Sequence, residues 1–241
     1  MPDAIFDHPR LAAIYDAFDG PRDDLDHYLA IVRELNAKSV LDVGCGTGCF
    51  ACLLSEHGYD VVGVDPAAAS LDVARRKGTR QPVEWILGDA TRLPPLAVDL
   101  AVMTGNVAQV FVDDSEWMAT LAGIRKALRD GGHLVFEVRD PAKEAWKSWT
   151  RENTYRRLEL PHVGAVEGWT DLTDVSAELV SFRHTYVFAD DGAVLHSDST
   201  LRFLTRERIE ETLRQSGYSV TDVRGAPDRP GLEFVFITRA G

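Results

Sequence analysis

Short apolar runs alternate with amphipathic stretches through the first 140 residues of the chain. Five runs rich in Val, Ile and Leu have the length of strands and begin near residues 39, 59, 83, 98 and 133. Between these runs, apolar positions spaced three to four residues apart predict helices over 49–57, 67–77 and 114–129. Strands that alternate with helices form parallel sheets, because each helix carries the chain back to the same edge. The pattern therefore predicts an α/β core.

Both ends of the chain extend this core. An apolar stripe along Arg22–Leu35 predicts an amphipathic helix before the first strand. Near the C-terminus, Thr205 and Gly217 are typical of the N-cap and C-cap of one more helix. Two apolar runs follow it, over 218–223 and 232–238, and predict a closing pair of strands.

The pattern changes after residue 140. Val180–Phe188 predicts a strand, Asp190-Asp191-Gly192 is typical of a turn, and Ala193–Phe203 predicts the returning strand. This hairpin predicts an antiparallel β insert before the last helix. The chain then divides into four parts. Residues 1–38 are expected to form an N-terminal lid with the first helix, and 39–140 the core. Residues 141–204 are expected to form the insert as a cap on the acceptor side, and 205–241 the last helix with its strand pair.

A glycine-rich turn follows the first strand. The segment Asp42-Val43-Gly44-Cys45-Gly46-Thr47-Gly48 joins that strand to a helix, and its glycines let a ligand approach bare backbone. A dinucleotide-binding G-x-G-x-x-G would need its third glycine at the position of Cys49. The order Asp-x-Gly-x-Gly-x-Gly instead resembles motif I of the class I S-adenosylmethionine-dependent methyltransferases.

An acid ends the second predicted strand. Asp65 stands where a carboxylate can accept hydrogen bonds from both ribose hydroxyls of a nucleotide, because each of its oxygens has free lone pairs. Its charge would repel a 2′-phosphate, which argues against NADP. The acid at the end of the second strand would also suit an NAD-dependent oxidoreductase, which is therefore an alternative. The spacing of the three glycines argues against that alternative.

The resemblance extends to three later stretches. Gly88-Asp89-Ala90 matches the place where the family's aspartate accepts from the adenine amino group, and a helix cap is the alternative for this acid. Thr104-Gly105-Asn106 ends the fourth strand, where the family places methionine and acceptor contacts. This stretch lacks the Asn/Asp-Pro-Pro-aromatic motif that the nucleic-acid amino-methyltransferases have at the same place. Leu128–Gly132 resembles the family's Leu-Lys/Arg-Pro-Gly-Gly and predicts a helix with a glycine C-cap.

By this resemblance the protein binds S-adenosylmethionine and has a Rossmann-like, seven-stranded, mostly parallel sheet with helices on both faces. Tyr15 resembles a residue of the lid that covers the cofactor in small-molecule methyltransferases, and Arg22 is implied to pair with the cofactor carboxylate. Helix packing and solvent exposure are the alternatives for these two. The implied cofactor-binding residues are Tyr15, Arg22, Asp42, Gly44, Cys45, Gly46, Gly48, Asp65, Pro66, Gly88, Asp89, Ala90, Thr104, Gly105, Asn106 and Gln109.

Composition limits the partners. The 241 residues are 45% hydrophobic, enough for a substantial core, and carry a formal net charge of -12. Nucleic-acid binding depends on neutralising phosphates, so this charge argues against a nucleic-acid partner. No apolar run approaches the roughly 20 residues that span a bilayer, and the acidic start is unlike a secretory leader. We therefore expect a cytoplasmic monomer or homodimer without a membrane partner.

Three cysteines have a misleading spacing. Cys45, Cys49 and Cys52 form C-x3-C-x2-C, the spacing of the cluster ligands in radical S-adenosylmethionine enzymes. Cluster ligands need a free loop, whereas Cys49 and Cys52 fall on one face of the predicted helix and suit small buried side chains. We therefore expect no metal.

Methyl transfer from a sulfonium depends on alignment and exclusion of water, and needs a base only when the nucleophile is protonated. The sequence offers three candidates for that base: His184 among the aromatics of its strand, and Glu137 and Asp140 at the end of the fifth strand. A core histidine and a strand-ending Asp-Pro are the structural alternatives. The pattern favours a methyltransferase acting on nitrogen, oxygen or carbon of a small molecule, with a cofactor-binding protein that lacks transferase activity as the alternative.

Overall fold

The computed structural model describes residues 1–241 and contains eight α-helices and eleven β-strands. The helices are α1 Ala4–Asp7, α2 Pro9–Asp19, α3 Leu25–Glu34, α4 Cys49–Glu56, α5 Ala68–Arg76, α6 Asp114–Ala127, α7 Arg151–Thr154 and α8 Arg206–Gln215. The strands are β1 Ser39–Val43, β2 Asp60–Asp65, β3 Val83–Leu87, β4 Val98–Met103, β5 Leu128–Arg139, β6 Arg156–Leu160, β7 Gly164–Ser176, β8 Leu179–Phe188, β9 Val194–Arg202, β10 Tyr218–Gly225 and β11 Glu233–Ala240.

Seven strands form one sheet in the order β10-β11-β5-β4-β1-β2-β3. The pairs within β5-β4-β1-β2-β3 are parallel, and β11 runs antiparallel to both β5 and β10. Strands such as β1 are apolar on both faces because helices cover both sides of the sheet. Helices α6 and α8 pack on one face, and α3 and α4 on the other. The predicted mostly parallel, Rossmann-like sheet is confirmed.

The strand order reverses beside β1, because β1 lies between β2 and β4. Helix α4, which follows β1, and helix α6, which follows β4, lie on opposite faces of the sheet, so a crevice opens at the carboxyl ends of β1 and β4. The glycine-rich turn follows β1, and Thr104-Gly105-Asn106 follows β4. The fold thus brings together two stretches that the sequence placed in one site.

The insert is larger than the predicted hairpin. Strands β8 and β9 form that hairpin, but β6 and β7 extend it to a four-stranded antiparallel sheet in the order β6-β7-β8-β9. The pattern missed β6 because this edge strand is largely exposed and reads Arg-Arg-Leu-Glu-Leu. It missed β7 because the second half of that strand is polar and exposed.

Two predicted helix boundaries were wrong. Helix α6 ends at Ala127, and its C-cap is Leu128 with extended backbone angles rather than a glycine. The Asp-Gly-Gly segment instead belongs to the start of β5, where Gly131 has φ +70° and the pairing with β4 shifts register. Helix α3 begins at Leu25 rather than Arg22, because the Arg22 guanidinium binds Asp24 at the helix start. The N-cap Thr205 is confirmed by its bond from the Arg208 N–H.

None of the eight α-helices is both long and apolar enough to cross a bilayer.

Candidate cofactor and acceptor site

The glycine-rich turn is fixed to the neighbouring strand by its backbone. The N–H groups of Gly44 and Cys45 donate to the Val64 carbonyl at 2.8 and 3.2 Å. Gly44, Gly46 and Gly48 have φ values of +70°, +54° and +79°, which side-chain-bearing residues rarely adopt. The turn therefore needs its three glycines for conformation alone, before any ligand is considered.

Asp65 holds the middle of this turn. Its Oδ2 accepts the Gly46 N–H at 2.8 Å, and its Oδ1 accepts the Ala67 N–H at 2.8 Å. Burial raises the pKa of this carboxyl, and the two backbone donors act against that rise. Each carboxylate oxygen keeps a lone pair for a further donor. The structure thus places Asp65 against the turn, as expected for a ribose-binding acid.

Asp42 is a buried acid without a partner. It lies on β1 with 1% of its surface exposed, and no hydrogen bond reaches either carboxylate oxygen. Burial, assisted by the charge of Asp65, raises its pKa to about 7. A buried carboxylate left unpaired is costly unless a ligand completes it. At Gly46, an added Cβ would meet nothing within 4 Å, so that face of the turn is open.

These features fit S-adenosylmethionine. The open backbone at Gly46 allows close approach, Asp65 has lone pairs left for ribose hydroxyls, and Asp42 is an unpaired acceptor for an ammonium group. Pro66 follows Asp65 on the surface. The Cys45 side chain is buried beneath the turn, so only its backbone is available to a ligand.

The acid after β3 has a structural role in this chain. Asp89 is exposed and caps the 3-10 turn Ala90–Arg92, where its Oδ1 accepts the Thr91 N–H at 2.8 Å. Gly88 donates its N–H to the Asp65 carbonyl at 3.0 Å, so this segment borders Asp65. Ala90 is buried. The adenine contact of Asp89 stays a prediction.

The residues after β4 are engaged within the protein. The Asn106 N–H donates to Glu137 Oε1 at 2.6 Å, and its side-chain amide donates to Glu233 Oε1 at 3.2 Å. Gln109 accepts the Arg139 N–H at 3.2 Å, and its amide donates to a carbonyl of β9 at 3.1 Å. These two side chains join β4, β5 and the insert. Their contacts to a cofactor stay predictions, as do those of the half-buried Thr104 and the exposed Gly105.

Glu137 belongs to a buried charged cluster that the sequence did not reveal. Glu233 comes from β11 and accepts from Arg229 at 2.7 Å, and three atoms of the cluster have no partner: Asn106 Oδ1, Glu137 Oε2 and Glu233 Oε2. Burial raises the pKa of Glu137 to about 7, although the Asn106 N–H opposes the rise. Asp140, the other carboxylate candidate of this strand, caps a 3-10 turn through the Ala142 N–H at 2.9 Å.

The contribution of Glu137 to folding stability is expected to fall as the pH rises from 5 to 8. The folded-state pKa of Glu137 lies above its ordinary value, so its contribution is complete below pH 4.5 and is lost as the pH rises through about 7. Glu137→Gln should remove up to about 3 kcal/mol of that loss. Thermal unfolding at pH 5, 6, 7 and 8 measures it.

The surface variant Glu152→Gln is the control, because Glu152 is exposed. It should reproduce the pH profile of the unmodified protein. An unchanged profile in Glu137→Gln would show that other groups, such as Asp42, cause the pH dependence.

Helix α2, in the N-terminal segment that the sequence predicted as a lid, is bonded to the glycine-rich turn, and we use the name lid for α1 and α2. Asp16 of α2 accepts from the Thr47 hydroxyl and forms an ion pair with Lys77 at 2.6 Å. Burial opposes ionisation of Asp16, but the hydrogen bonds from Lys77 and Thr47 outweigh it and lower the pKa. Tyr15 lies half-buried beside this latch, and burial raises its pKa. The Arg22 guanidinium pairs with Asp24 at 2.8 Å and with Asp19 at 3.1 Å, and its pairing with a cofactor carboxylate stays a prediction.

A row of aromatic side chains lines the insert where it faces the core. Ring centroids are separated by 5.0 Å for Phe18 and Tyr186, 6.4 Å for Tyr186 and His184, 5.2 Å for His184 and Phe182, and 4.7 Å for Phe182 and Trp149. We call these five residues the aromatic wall. It starts on the lid at Phe18 and ends beside Arg139, whose guanidinium lies 5.5 Å from the Trp149 ring.

His184 is the polar member of the aromatic wall. Its Nδ1 forms a hydrogen bond with the Thr170 hydroxyl at 2.8 Å, and burial lowers its pKa to about 4. The ring is therefore neutral at physiological pH. The sequence indicated His184 through strand alternation but held no signal for Thr170, which lies on the strand that the pattern missed.

Comparison with known proteins finds matches among methyltransferases. Residues 40–132 match the family model described as a methyltransferase domain. The cypemycin N-terminal methyltransferase of a Streptomyces species is 36% identical over 112 residues, which cover 46% of this chain and 46% of that enzyme. The match thus spans about half the length of this curated relative.

Two solved structures show how far the fold extends. An S-adenosylmethionine-dependent methyltransferase from Clostridium acetobutylicum has a TM-score of 0.78 at 17% identity, with 97% of this chain and 99% of that chain covered. An amino pentose methyltransferase from Micromonospora echinaspora, solved with bound S-adenosylmethionine, has a TM-score of 0.73 at 21% identity, with 95% of both chains covered. The lid and insert are therefore part of a shared architecture. The chain has the fold of the class I S-adenosylmethionine-dependent methyltransferases, and its residues 40–132 match a methyltransferase domain.

Proposed function

We propose that this protein transfers the methyl group of S-adenosylmethionine to a nitrogen, oxygen or carbon atom of a small molecule. The observation that carries the proposal is the set of contacts that join the lid to the insert, and the insert to the residues at the carboxyl ends of β4 and β5. We infer from these contacts that the two segments cover the crevice. A covered crevice suits an acceptor that can be enclosed, whereas a macromolecular acceptor needs an open surface.

The lid and the insert are joined by specific contacts. The Ile5 N–H donates to Ser197 of β9 at 2.8 Å. Arg10 pairs with Asp191 at 2.8 Å on the turn between β8 and β9. The Arg156 guanidinium donates to a carbonyl of α2 at 2.7 Å. These bonds tie both edge strands of the insert, β6 and β9, to the lid.

The protein has to position the cofactor and the acceptor relative to each other. The sulfonium cofactor supplies an activated methyl group when bound. Asp42, Asp65 and the backbone at Gly46 would hold it, and the aromatic wall would orient the acceptor and exclude water. The net charge of -12 argues against a nucleic-acid acceptor, because few phosphates would be neutralised. A monomer or homodimer suffices, since one chain contributes the lid, the core and the insert.

The first test is calorimetric titration with S-adenosylhomocysteine, with NAD in parallel. Micromolar binding of the former and silence with NAD are expected. Transfer of a tritiated methyl group is then measured to three acceptors: glucosamine, phenol and the peptide Ala-Ala-Ala. Two related proteins are named as amino pentose and N-terminal methyltransferases, so the amines are expected to respond.

Each other outcome has a definite meaning. Binding of S-adenosylhomocysteine without transfer to any of the three favours a cofactor-binding protein that lacks transferase activity. Binding of NAD in place of S-adenosylhomocysteine would contradict the proposed function and favour an oxidoreductase.

A further inference from the structure

His184 lies between the lid and the end of β5. Its neighbour on one side along β8, Tyr186, packs against Phe18 of the lid. Its neighbour on the other side, Phe182, packs against Trp149, which in turn contacts the Arg139 guanidinium. Alternation along a strand puts all three side chains of β8 on one face. His184 therefore faces the space that the lid, the insert and the carboxyl end of β5 enclose.

One ring nitrogen of His184 is free. The Thr170 hydroxyl engages Nδ1, no protein group bonds to Nε2, and Nε2 is accessible to solvent. A neutral imidazole has one N–H and one lone pair, and the bond at one nitrogen decides the state of the other. When the Nδ1–H donates to the Thr170 hydroxyl, the lone pair is on Nε2 and points away from β7.

The same sheet contains a second histidine–threonine pair on its opposite face. His196 Nδ1 lies 3.1 Å from the Thr185 hydroxyl, and the His196 side chain is exposed. The two pairs share their chemistry and their cross-strand geometry. They differ in the face of the sheet, because Thr185 follows His184 on the strand and points the other way. His196 is therefore a matched internal control.

We propose that His184 is the catalytic base for the methyl acceptor, that Thr170 positions it, and that the acceptor's nucleophile is a neutral hydroxyl or amine that carries a hydrogen. This inference rests on the proposed function and adds the residue that receives the proton. The aromatic neighbours of His184 exclude charge, so the acceptor binds in its neutral form.

The proposed step is methyl transfer from the sulfonium to the acceptor atom that His184 orients. His184 Nε2 accepts a hydrogen bond from the O–H or N–H of the acceptor and so orients the lone pair of that atom. As the new bond to the methyl carbon forms, the carbon–sulfur bond breaks and its electron pair stays on sulfur. A hydroxyl proton passes to Nε2 during the transfer, and the resulting imidazolium releases it to solvent. An amine becomes a methylated ammonium when the bond forms and releases its proton directly to solvent, so for an amine His184 acts through the orienting hydrogen bond.

A spectroscopic test needs no acceptor. Nuclear magnetic resonance of the protein labelled with nitrogen-15 histidine reports which ring nitrogen of His184 carries the proton at pH 7. The proposal expects the proton on Nδ1, and Thr170→Val should disturb that state while Thr170→Ser restores it. A proton on Nε2 in the unmodified protein would overturn the proposal, because the free nitrogen would then be a donor.

The kinetic test uses His184→Phe, which keeps an aromatic ring in the aromatic wall and removes the base. With the best acceptor among glucosamine, phenol and Ala-Ala-Ala, kcat should fall about 100-fold, the lower end of general-base effects. The Kd for S-adenosylhomocysteine should be unchanged. His196→Phe should leave kcat unchanged, and imidazole added to His184→Ala should restore part of the rate.

A kcat of His184→Phe within about 3-fold of the unmodified protein would also overturn the proposal. An unmodified protein that transfers no methyl group to any of the three would count against the proposed function. In that case the tautomer of His184 still decides the inference on its own.

Discussion

Asp65→Ala is expected to weaken binding of S-adenosylhomocysteine by about 100-fold or more. The carboxylate is buried and oriented by the Gly46 and Ala67 N–H groups, so its remaining lone pairs are fixed in place for ribose hydroxyls. Two hydrogen bonds to a charged acceptor, at about 1.5 kcal/mol or more each, account for that factor. Calorimetric titration measures the change directly.

Two further variants separate the ligand contact from general damage. Asp65→Asn keeps the shape and one acceptor oxygen, but its amide group faces a backbone N–H, so an intermediate loss is expected. Asp60→Asn, at the exposed start of the same strand, should bind as the unmodified protein does. Full affinity in Asp65→Ala would show that the ribose is held elsewhere.

Gly48→Ala is expected to lower the free energy of unfolding by about 3 kcal/mol. Gly48 has φ +79°, and an added Cβ would lie 2.5 Å from the Trp85 ring and 2.9 Å from the Ala74 Cβ. The left-handed backbone costs about 1–2 kcal/mol for a residue with a side chain, and overpacking costs about as much again. For a domain of this size the melting temperature should fall by roughly 10 °C.

Gly46→Ala is the matched comparison in the same turn. Its backbone is also left-handed, at φ +54°, but an added Cβ would meet nothing within 4 Å. We expect a loss of only about 1 kcal/mol in stability, with affinity for S-adenosylhomocysteine reduced at least about 10-fold. Equal destabilisation by both substitutions would show that contact with Trp85 and Ala74 does not decide the cost. Unchanged affinity in Gly46→Ala would place the cofactor away from this face.

Much of the core could be predicted because its signals are local. The glycines of the turn adopt backbone angles that other residues avoid, so their spacing reports the turn directly. The apolar runs of β1, β2, β4 and β5 follow from burial on both faces. Asp65 was placed correctly because the end of β2 lies beside β1 in any such sheet.

The charged cluster could not be predicted for the opposite reason. Asn106 follows β4 and Glu137 lies on β5, whereas Glu233 begins β11 and Arg229 lies in the loop before it. No local sequence pattern relates these four positions. Gln109 was expected at the cofactor, yet its side chain bridges Arg139 and the insert. A polar residue at the end of a strand has many possible partners, and only the packed structure selects among them.

The sequence by itself determined the α/β core, the glycine-rich turn, the acid at the end of β2 and the family resemblance, because each depends on neighbours a few residues away. The tertiary structure alone decided that β6 and β7 complete the insert, that Asp16 latches the lid through Thr47 and Lys77, and that Thr170 fixes His184. These contacts join residues whose positions relative to one another are set by packing of the whole chain, so no short stretch of sequence encodes them.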